Sequence, residues 1–188
     1  METKQKEIRE LSKKHPKLET LMYRVNKDSL KQVHTAQMQK KASGIDGVTK
    51  QDYEKNLDEN LEELIKRMKT FSYRPQPVRR TYIPKGNGKM RPLGIPAYED
   101  RLVQGVMANI LNEVYEPRFL DCSYGFRPGR SAHDAIRDIN QTLMCRRVNY
   151  ILDCDIKGFF DNVNHEWLMK FLEHDIADKN FLRYVKRF

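Results

Sequence analysis

Asp153 and Asp155 stand two residues apart in the stretch Tyr150–Glu166, Y-I-L-D-C-D-I-K-G-F-F-D-N-V-N-H-E. In an extended chain, side chains two apart leave the same face. Ile151, Asp153 and Asp155 therefore share one side, and Tyr150, Leu152, Cys154 and Ile156 the other. The alternation predicts a strand with its apolar side packed on helices and its acids open to something charged. A turn at Gly158 follows, and Asn164 has the position of a helix cap. A carboxylate fixed at a strand tip can hold a divalent cation, because Mg²⁺ takes oxygen ligands in near-octahedral geometry with little tolerance. Surface acids beside a turn would leave the same pattern.

Two further stretches carry cations suited to phosphate. Arg79 to Arg91 contains Arg79, Arg80, Lys85, Lys89 and Arg91 and no acid. Segments rich in β-formers flank Lys85-Gly86-Asn87-Gly88-Lys89, which is turn chemistry and predicts a hairpin. Pro84, Pro92 and Pro96 lack backbone donors and belong to an edge ribbon. Such a hairpin can wrap phosphates with backbone N–H groups and side chains. An edge ribbon whose lysines discourage aggregation is the alternative. In Ser123–Ser131, S-Y-G-F-R-P-G-R-S, Arg127 and Arg130 interleave with aromatics in a Gly-bent loop. That composition suits stacking and backbone contacts to nucleic acid, or equally aromatics plugging a core beside solvated arginines.

The elements that must position these groups read as follows. Residues 1–41 hold eleven Lys/Arg against five Asp/Glu and predict short basic helices broken near His15-Pro16 and Asn26–Ser29. Asp28 is the expected cap of a helix running to Lys41. Lys13, Lys14 and Lys31 in this segment are candidates for gripping RNA phosphates, the alternative being a solvated helix face. Ser43–Val48 is a tight loop, and Thr49-x-x-Asp52 opens a helix with the stripe Leu57, Leu61, Leu64, Ile65 and Met68. Leu102, Val103, Val106, Met107, Ile110, Leu111 and Val114 make Glu99–Tyr115 a core helix, ended near Glu116-Pro117. Ser131-x-x-Asp134 caps a helix whose buried side is expected to be Ala132, Ala135, Ile136, Ile139 and Leu143. Trp167, Leu168, Phe171 and Leu172 mark one amphipathic helix, and Phe181, Leu182 and Val185 another that runs into the C-terminus. A pattern cut there leads us to expect a fragment.

With 188 residues the chain can bury a real core in one or two small domains. A net charge of +9 points to polyanionic partners. No run reaches the roughly 18 apolar residues of a membrane span, and no secretory pattern opens the chain, so no membrane partner is expected. Cys122, Cys145 and Cys154 are odd in number and lack C-x-x-C spacing, which fits a cytoplasmic location. The five histidines do not pair at metal-ligand spacing.

Three motifs in this order, I-P-K-x-x-G-K-x-R-P-L-G-I-P, Y-G-F-R-P-G-R-S and D-I-K-G-F-F-D-N-V-N-H, closely resemble the front half of group II intron reverse transcriptases, the intron-encoded maturases. The Ser43–Thr49 loop is similar to that family's early G-I-D-G-x-T motif, and the similarity runs from about residue 20 to the end. It implies an α+β fold of right-hand polymerase type, with fingers of helices and a β-hairpin leading into a truncated palm sheet. The implied division is a basic extension at 1–41, fingers and supporting helices at 42–147, and the start of the palm at 148–188. Residue by residue, the resemblance makes Asp155 the first catalytic aspartate and a ligand of both of two Mg²⁺ ions, with the Ile156 carbonyl on one of them. Phe160 becomes the aromatic gate that excludes a ribose 2′-hydroxyl, and Lys85 and Arg91 hold the triphosphate of an incoming deoxynucleotide. The Arg127–Arg130 loop borders the template or cleft, and the basic extension contacts template and intron RNA.

The implied function is RNA-directed DNA polymerisation on an RNA template and DNA primer, with intron RNA bound as a maturase. Family members carry two more aspartates in a later Y-A-D-D hairpin, and no such tetrapeptide occurs here. The chain alone is therefore expected to polymerise negligibly, and a truncated palm leaves apolar surface that a homodimer could cover. An RNA-binding splicing module without polymerase activity is the competing expectation.

Overall fold

Helix α4 (Tyr98–Tyr115) is the axis of the core, burying Leu102, Val103, Val106, Met107, Ile110 and Val114 along one face. The computed structural model describes residues 8, 10, 17–84, 86 and 88–188. Lys13, Lys14, Lys85 and the break expected at His15-Pro16 lie outside the described residues. Helix α1 (Lys27–Ala36) crosses α4 and rests on α3 (Leu57–Lys69), with the short α2 (Lys50–Glu54) between them in sequence. Gly105 lets α1 and α4 approach closely, since a Cβ there would come within 2.6 Å of Val33 Cγ1. The expected stripe on α3 is borne out: Leu61, Leu64 and Met68 are buried, with Leu57 and Ile65 packed against them.

The start of α1 differs from expectation. Asn26, not Asp28, is the cap: its side chain accepts from Ser29 N at 3.1 Å, and Ser29 Oγ accepts from Asn26 N at 3.0 Å. This reciprocal box satisfies two donors that the helix would otherwise leave orphaned. The helix also stops at Ala36, short of Lys41, where Lys50 Nζ donates to Thr35 O at 3.2 Å and Gln37 O at 2.8 Å. The caps expected at Thr49, Ser131 and Asn164 are all present.

Strands β1 (Arg79–Pro84) and β2 (Met90–Ile95) form the expected hairpin, an antiparallel ribbon running from Arg79↔Ile95 to Pro84↔Met90. It is the one sheet among the described residues. With helices and this ribbon the chain is α+β.

Beyond α4 come α5 (Ala132–Cys145), α6 (His165–Asp175) and α7 (Lys179–Arg187). Leu18 pairs with Ile176 through Leu18 N to Asp175 O (2.9 Å) and Ala177 N to Leu18 O (2.8 Å), tying the two ends of the chain together. Asp178 caps α7 and also accepts from Met22 N at 2.7 Å. Tyr184 donates to Met68 O at 2.7 Å, seating α7 on the end of α3.

Two expectations fail here for one reason. Residues 150–156 form no strand, and Tyr150 is 93% exposed, as no neighbouring strand among the described residues takes up their backbone groups. On α5, Ile136, Ile139 and Leu143 are likewise exposed, and of the stripe Trp167, Leu168, Phe171 and Leu172 on α6 only Leu172 is buried. Amphipathic spacing creates a face for burial but supplies no layer to bury it against.

Candidate functional site

The ribbon's alternation divides its cations between two faces. Directly opposed residues share a face, so Arg79, Thr81 and Ile83 stand with Ile95, Leu93 and Arg91, while Arg80 and Tyr82 stand on the other face with Gly94 and Pro92. Arg79 and Arg91 thus occupy opposite ends of one face, and Arg80 is separated from both. All three arginines are exposed, as is Lys89 in the turn.

Both feet of this ribbon are fastened to the first turn of α4. On the incoming side, buried Asp100 accepts from Tyr73 Oη and, at 2.9 Å, from Gln76 N. Burial and that carboxylate push the Tyr73 hydroxyl well above its usual range, so it remains a donor. On the outgoing side, Ala97 offers no capping side chain, and Asp46 accepts from Tyr98 N at 2.9 Å instead. Gly44 makes this possible, because a Cβ there would sit 2.5 Å from Pro96 O and 2.6 Å from Ala97 Cα. Arg101 Nε donates to Pro96 O at 3.1 Å. Beside Asp100, Glu99 takes Arg67 Nη2 at 2.6 Å and Tyr53 Oη at 3.3 Å. The sequence reading missed Asp46 and Asp100 as positioning residues. A tight G-I-D-G loop and two acids in the first turn of α4 were the available signals, but their partners lie far away in sequence.

Arg127 and Arg130 build the loop they belong to. The Arg127 side chain is 7% exposed, and Nη2 lies 2.9 Å from Glu116 Oε1. Nε also donates to that carboxylate, while Nη1 donates to Leu120 O at 2.7 Å and Ser123 O at 2.8 Å. The guanidinium lies over the Phe119 ring at 5.2 Å. Arg130 pairs with Asp121 at 3.1 Å and covers the Tyr124 ring, and Tyr124 donates to Asp138 at 2.9 Å. At the loop's tip, Phe126 is fully exposed in left-handed backbone, φ 57°. Lys31 is also engaged, sharing Asp58 with Lys27.

Asp155 lies in the irregular, exposed stretch before the Gly158 turn (φ 62°). Asn162 Nδ2 donates to Gly158 O at 2.8 Å and closes that turn, leading into the 3₁₀ turn Phe160–Asn162. Phe160 is 78% exposed, edge-on to Phe159 at 5.3 Å. No hydrogen bond or ion pair joins Asp155 to Arg79, Arg80 or Arg91, and no three His, Cys, Asp or Glu side chains gather around one point among the described residues. Mg²⁺ commonly keeps waters and takes only one or two protein carboxylates beside substrate phosphates. The open carboxylate of Asp155 and the neighbouring Ile156 carbonyl fit that partial role.

Residues 83–188, more than half the chain, match the family model described as reverse transcriptase (RNA-dependent DNA polymerase). The matched span takes in Arg91, the Tyr124–Ser131 loop, Asp155 and Phe160. The chain belongs to the reverse transcriptase family. Within it, the relatives point to one branch. The group II intron-encoded protein LtrA of Lactococcus lactis subsp. cremoris is 42% identical over 132 residues, 70% of this chain and 22% of that protein. Protein YkfC of Escherichia coli (strain K12) is 42% identical over 142 residues, 74% of this chain and 37% of its own length. The nuclear intron maturase 2, mitochondrial, of Arabidopsis thaliana is 32% identical over 91 residues, 47% of this chain and 12% of the maturase. The resemblance to group II intron reverse transcriptases and maturases is borne out, and the chain spans well under half the length of each of these relatives.

Proposed function

We propose that this chain supplies the fingers and the first part of the palm of an RNA-directed DNA polymerase that also binds intron RNA as a maturase. The family match across residues 83–188, which takes in Arg91 of the ribbon together with Asp155 and Phe160, is the observation that carries this reading. Arg91, with Lys85 beyond the end of β1, holds the triphosphate of the incoming deoxynucleotide. Orientation and charge neutralisation by such groups lower the barrier to phosphoryl transfer. Asp155 and the Ile156 carbonyl would hold the two Mg²⁺ ions, which when bound supply Lewis-acid stabilisation to attacking and leaving oxygens. Phe160 places a ring where a 2′-hydroxyl would collide, rejecting ribonucleotides by steric exclusion. The ribbon's feet on α4 hold its cations on an element anchored to the core.

The test is primer extension on an RNA template by the complete gene product that carries this chain. Asp155→Asn is expected to abolish synthesis while leaving RNA affinity nearly unchanged. Extension by this variant at the unsubstituted rate would sink the assignment and leave RNA binding as the activity.

A further inference from the structure

The turn after α3 and the outer edge of α7 bring together three guanidinium groups that the proposed chemistry does not use. Arg74 Nη1 donates to Tyr73 O at 3.0 Å and also to Phe71 O. Arg187 Nη1 donates to Tyr73 O at 2.8 Å, with its guanidinium over the Tyr184 ring at 4.9 Å. Arg183 lies over the Phe71 ring at 4.2 Å. Arg74 and Arg187 share the Tyr73 carbonyl, and Arg74 and Arg183 both contact Phe71, so the three lie in one small region although more than a hundred residues separate the two segments. No carboxylate among the described residues pairs with any of them.

A structural duty accounts for only part of this cluster. Arg74 and Arg187 hold the Phe71 and Tyr73 carbonyls of the turn that follows α3. Arg183 touches no carbonyl, and its ring contact leaves its N–H edge open. Helix α7 carries Lys179, Arg183, Lys186 and Arg187 and no acid. Their spacing of three and four places them along one edge, while Phe181, Leu182 and Tyr184 face the core.

We infer that this edge of α7, with Arg74, is a second phosphate-binding surface that docks an RNA strand by its backbone, apart from the ribbon. Planar guanidiniums held by rings and carbonyls are already oriented, so their remaining donors meet phosphate oxygens with little further ordering. Such contacts set position and carry no base information. A membrane surface fits poorly, because an interfacial helix needs apolar residues to insert and those of α7 are already buried. The choice of RNA over other polyanions rests on the function proposed above.

The test is fluorescence anisotropy of the 188-residue chain with a fluorescein-labelled single-stranded RNA across a KCl series. Arg183→Gln and Lys186→Gln touch no backbone carbonyl, and urea midpoints equal to the unsubstituted chain's would show that both variants fold. Each is expected to weaken binding and to reduce the slope of log affinity against log salt by about 0.7. Arg91→Gln, measured in parallel, reports the ribbon. If Arg91→Gln lowers the slope and the α7 variants do not, this surface is refuted and the ribbon reading stands. If only the α7 variants lower it, this surface stands and the ribbon's role fails. No RNA binding by the unsubstituted chain, or binding to phosphatidylserine vesicles in place of RNA, would overturn the inference.

Discussion

Arg127 separates two kinds of arginine, and replacing it with Gln shows which kind it is. Its side chain is 7% exposed and that of Glu116 17%, with the pair closed at 2.9 Å. Two carbonyls, Leu120 O and Ser123 O, complete the site. Gln can replace one of these contacts and leaves the Glu116 carboxylate without its cation. Breaking a buried ion pair costs about 3–5 kcal/mol, and the partial access of water to Glu116 places this case near 3 kcal/mol. For a chain of this size that loss lowers the melting temperature by roughly 6–12 °C.

Glu116→Gln should cost a similar amount, because it leaves a guanidinium buried without its anion. The double variant Glu116→Gln/Arg127→Gln should cost less than the two together, by a coupling of about 2 kcal/mol. Urea denaturation followed by far-ultraviolet circular dichroism measures all three, and RNA titration below every midpoint measures binding. We expect loss of stability with RNA affinity retained. An Arg127→Gln chain with an unchanged urea midpoint and weakened RNA binding would refute the structural assignment and return this residue to the nucleic-acid surface.

His34 is buried, with Tyr98 Oη 2.9 Å from Nδ1, the Glu54 carboxylate 3.8 Å from Nε2, and Lys50 and Lys31 nearby. Burial first, then the Lys50 charge, hold its pKa below the usual histidine value, so the folded chain refuses a proton that the unfolded chain accepts. Its stabilising contribution is therefore full above about pH 6.5 and falls as pH drops below that value. The urea midpoint should decline more steeply on acidification in the unsubstituted chain than in His34→Gln, and parallel profiles would refute this. Gly44→Ala should destabilise by roughly 1–3 kcal/mol through overpacking against Pro96 and Ala97, whereas nothing lies within 4 Å of a Cβ at Gly47. A Gly44→Ala melting curve matching the unsubstituted chain would show that this loop does not clamp the ribbon. The 188-residue chain by itself should extend no primer on an RNA template with Mg²⁺, and processive synthesis would contradict that.

Local chemistry was legible in the sequence wherever the partner is local. The caps at Thr49, Ser131 and Asn164, the stripes of α3 and α4, and the hairpin around Gly88 all depend on residues within one or two turns. One failure was local, the choice between two neighbouring caps, and the others occurred where the partner is distant in sequence. Asp28 looks as good a cap as Asn26 until Ser29 is seen closing the box on Asn26. Lys41 looks helical until Lys50 is found on the carbonyls of Thr35 and Gln37. Alternation at 150–156 states which face a strand would bury, yet says nothing of what would lie beside it. Among the site residues, Asp155, Phe160 and Arg91 were legible as motif positions, and the geometry leaves them open. Arg127 was not legible, since composition cannot distinguish a guanidinium facing phosphate from one facing Glu116.

The same distinction changes what the net charge of +9 means. Lys27 and Lys31 are held by Asp58 and Glu62, Arg67 by Glu99, Arg118 by Asp175, Arg127 by Glu116 and Arg130 by Asp121. A paired cation releases few counterions when a polyanion arrives, because its own carboxylate must first be displaced. The described part of the basic N-terminal segment, where the charge surplus first drew attention, thus contributes less than its composition implies. Among the described residues, cations without a carboxylate partner include Arg79, Arg80 and Arg91 on the ribbon, and Arg74, Arg183 and Arg187 at the α3–α7 junction. Both groups sit on elements anchored to the core, the ribbon through Asp46 and Asp100 and α7 through Tyr184 and Asp178. Long-range attraction follows from the total charge, whereas on the two proposals made above the register of a bound strand would follow from these two sets.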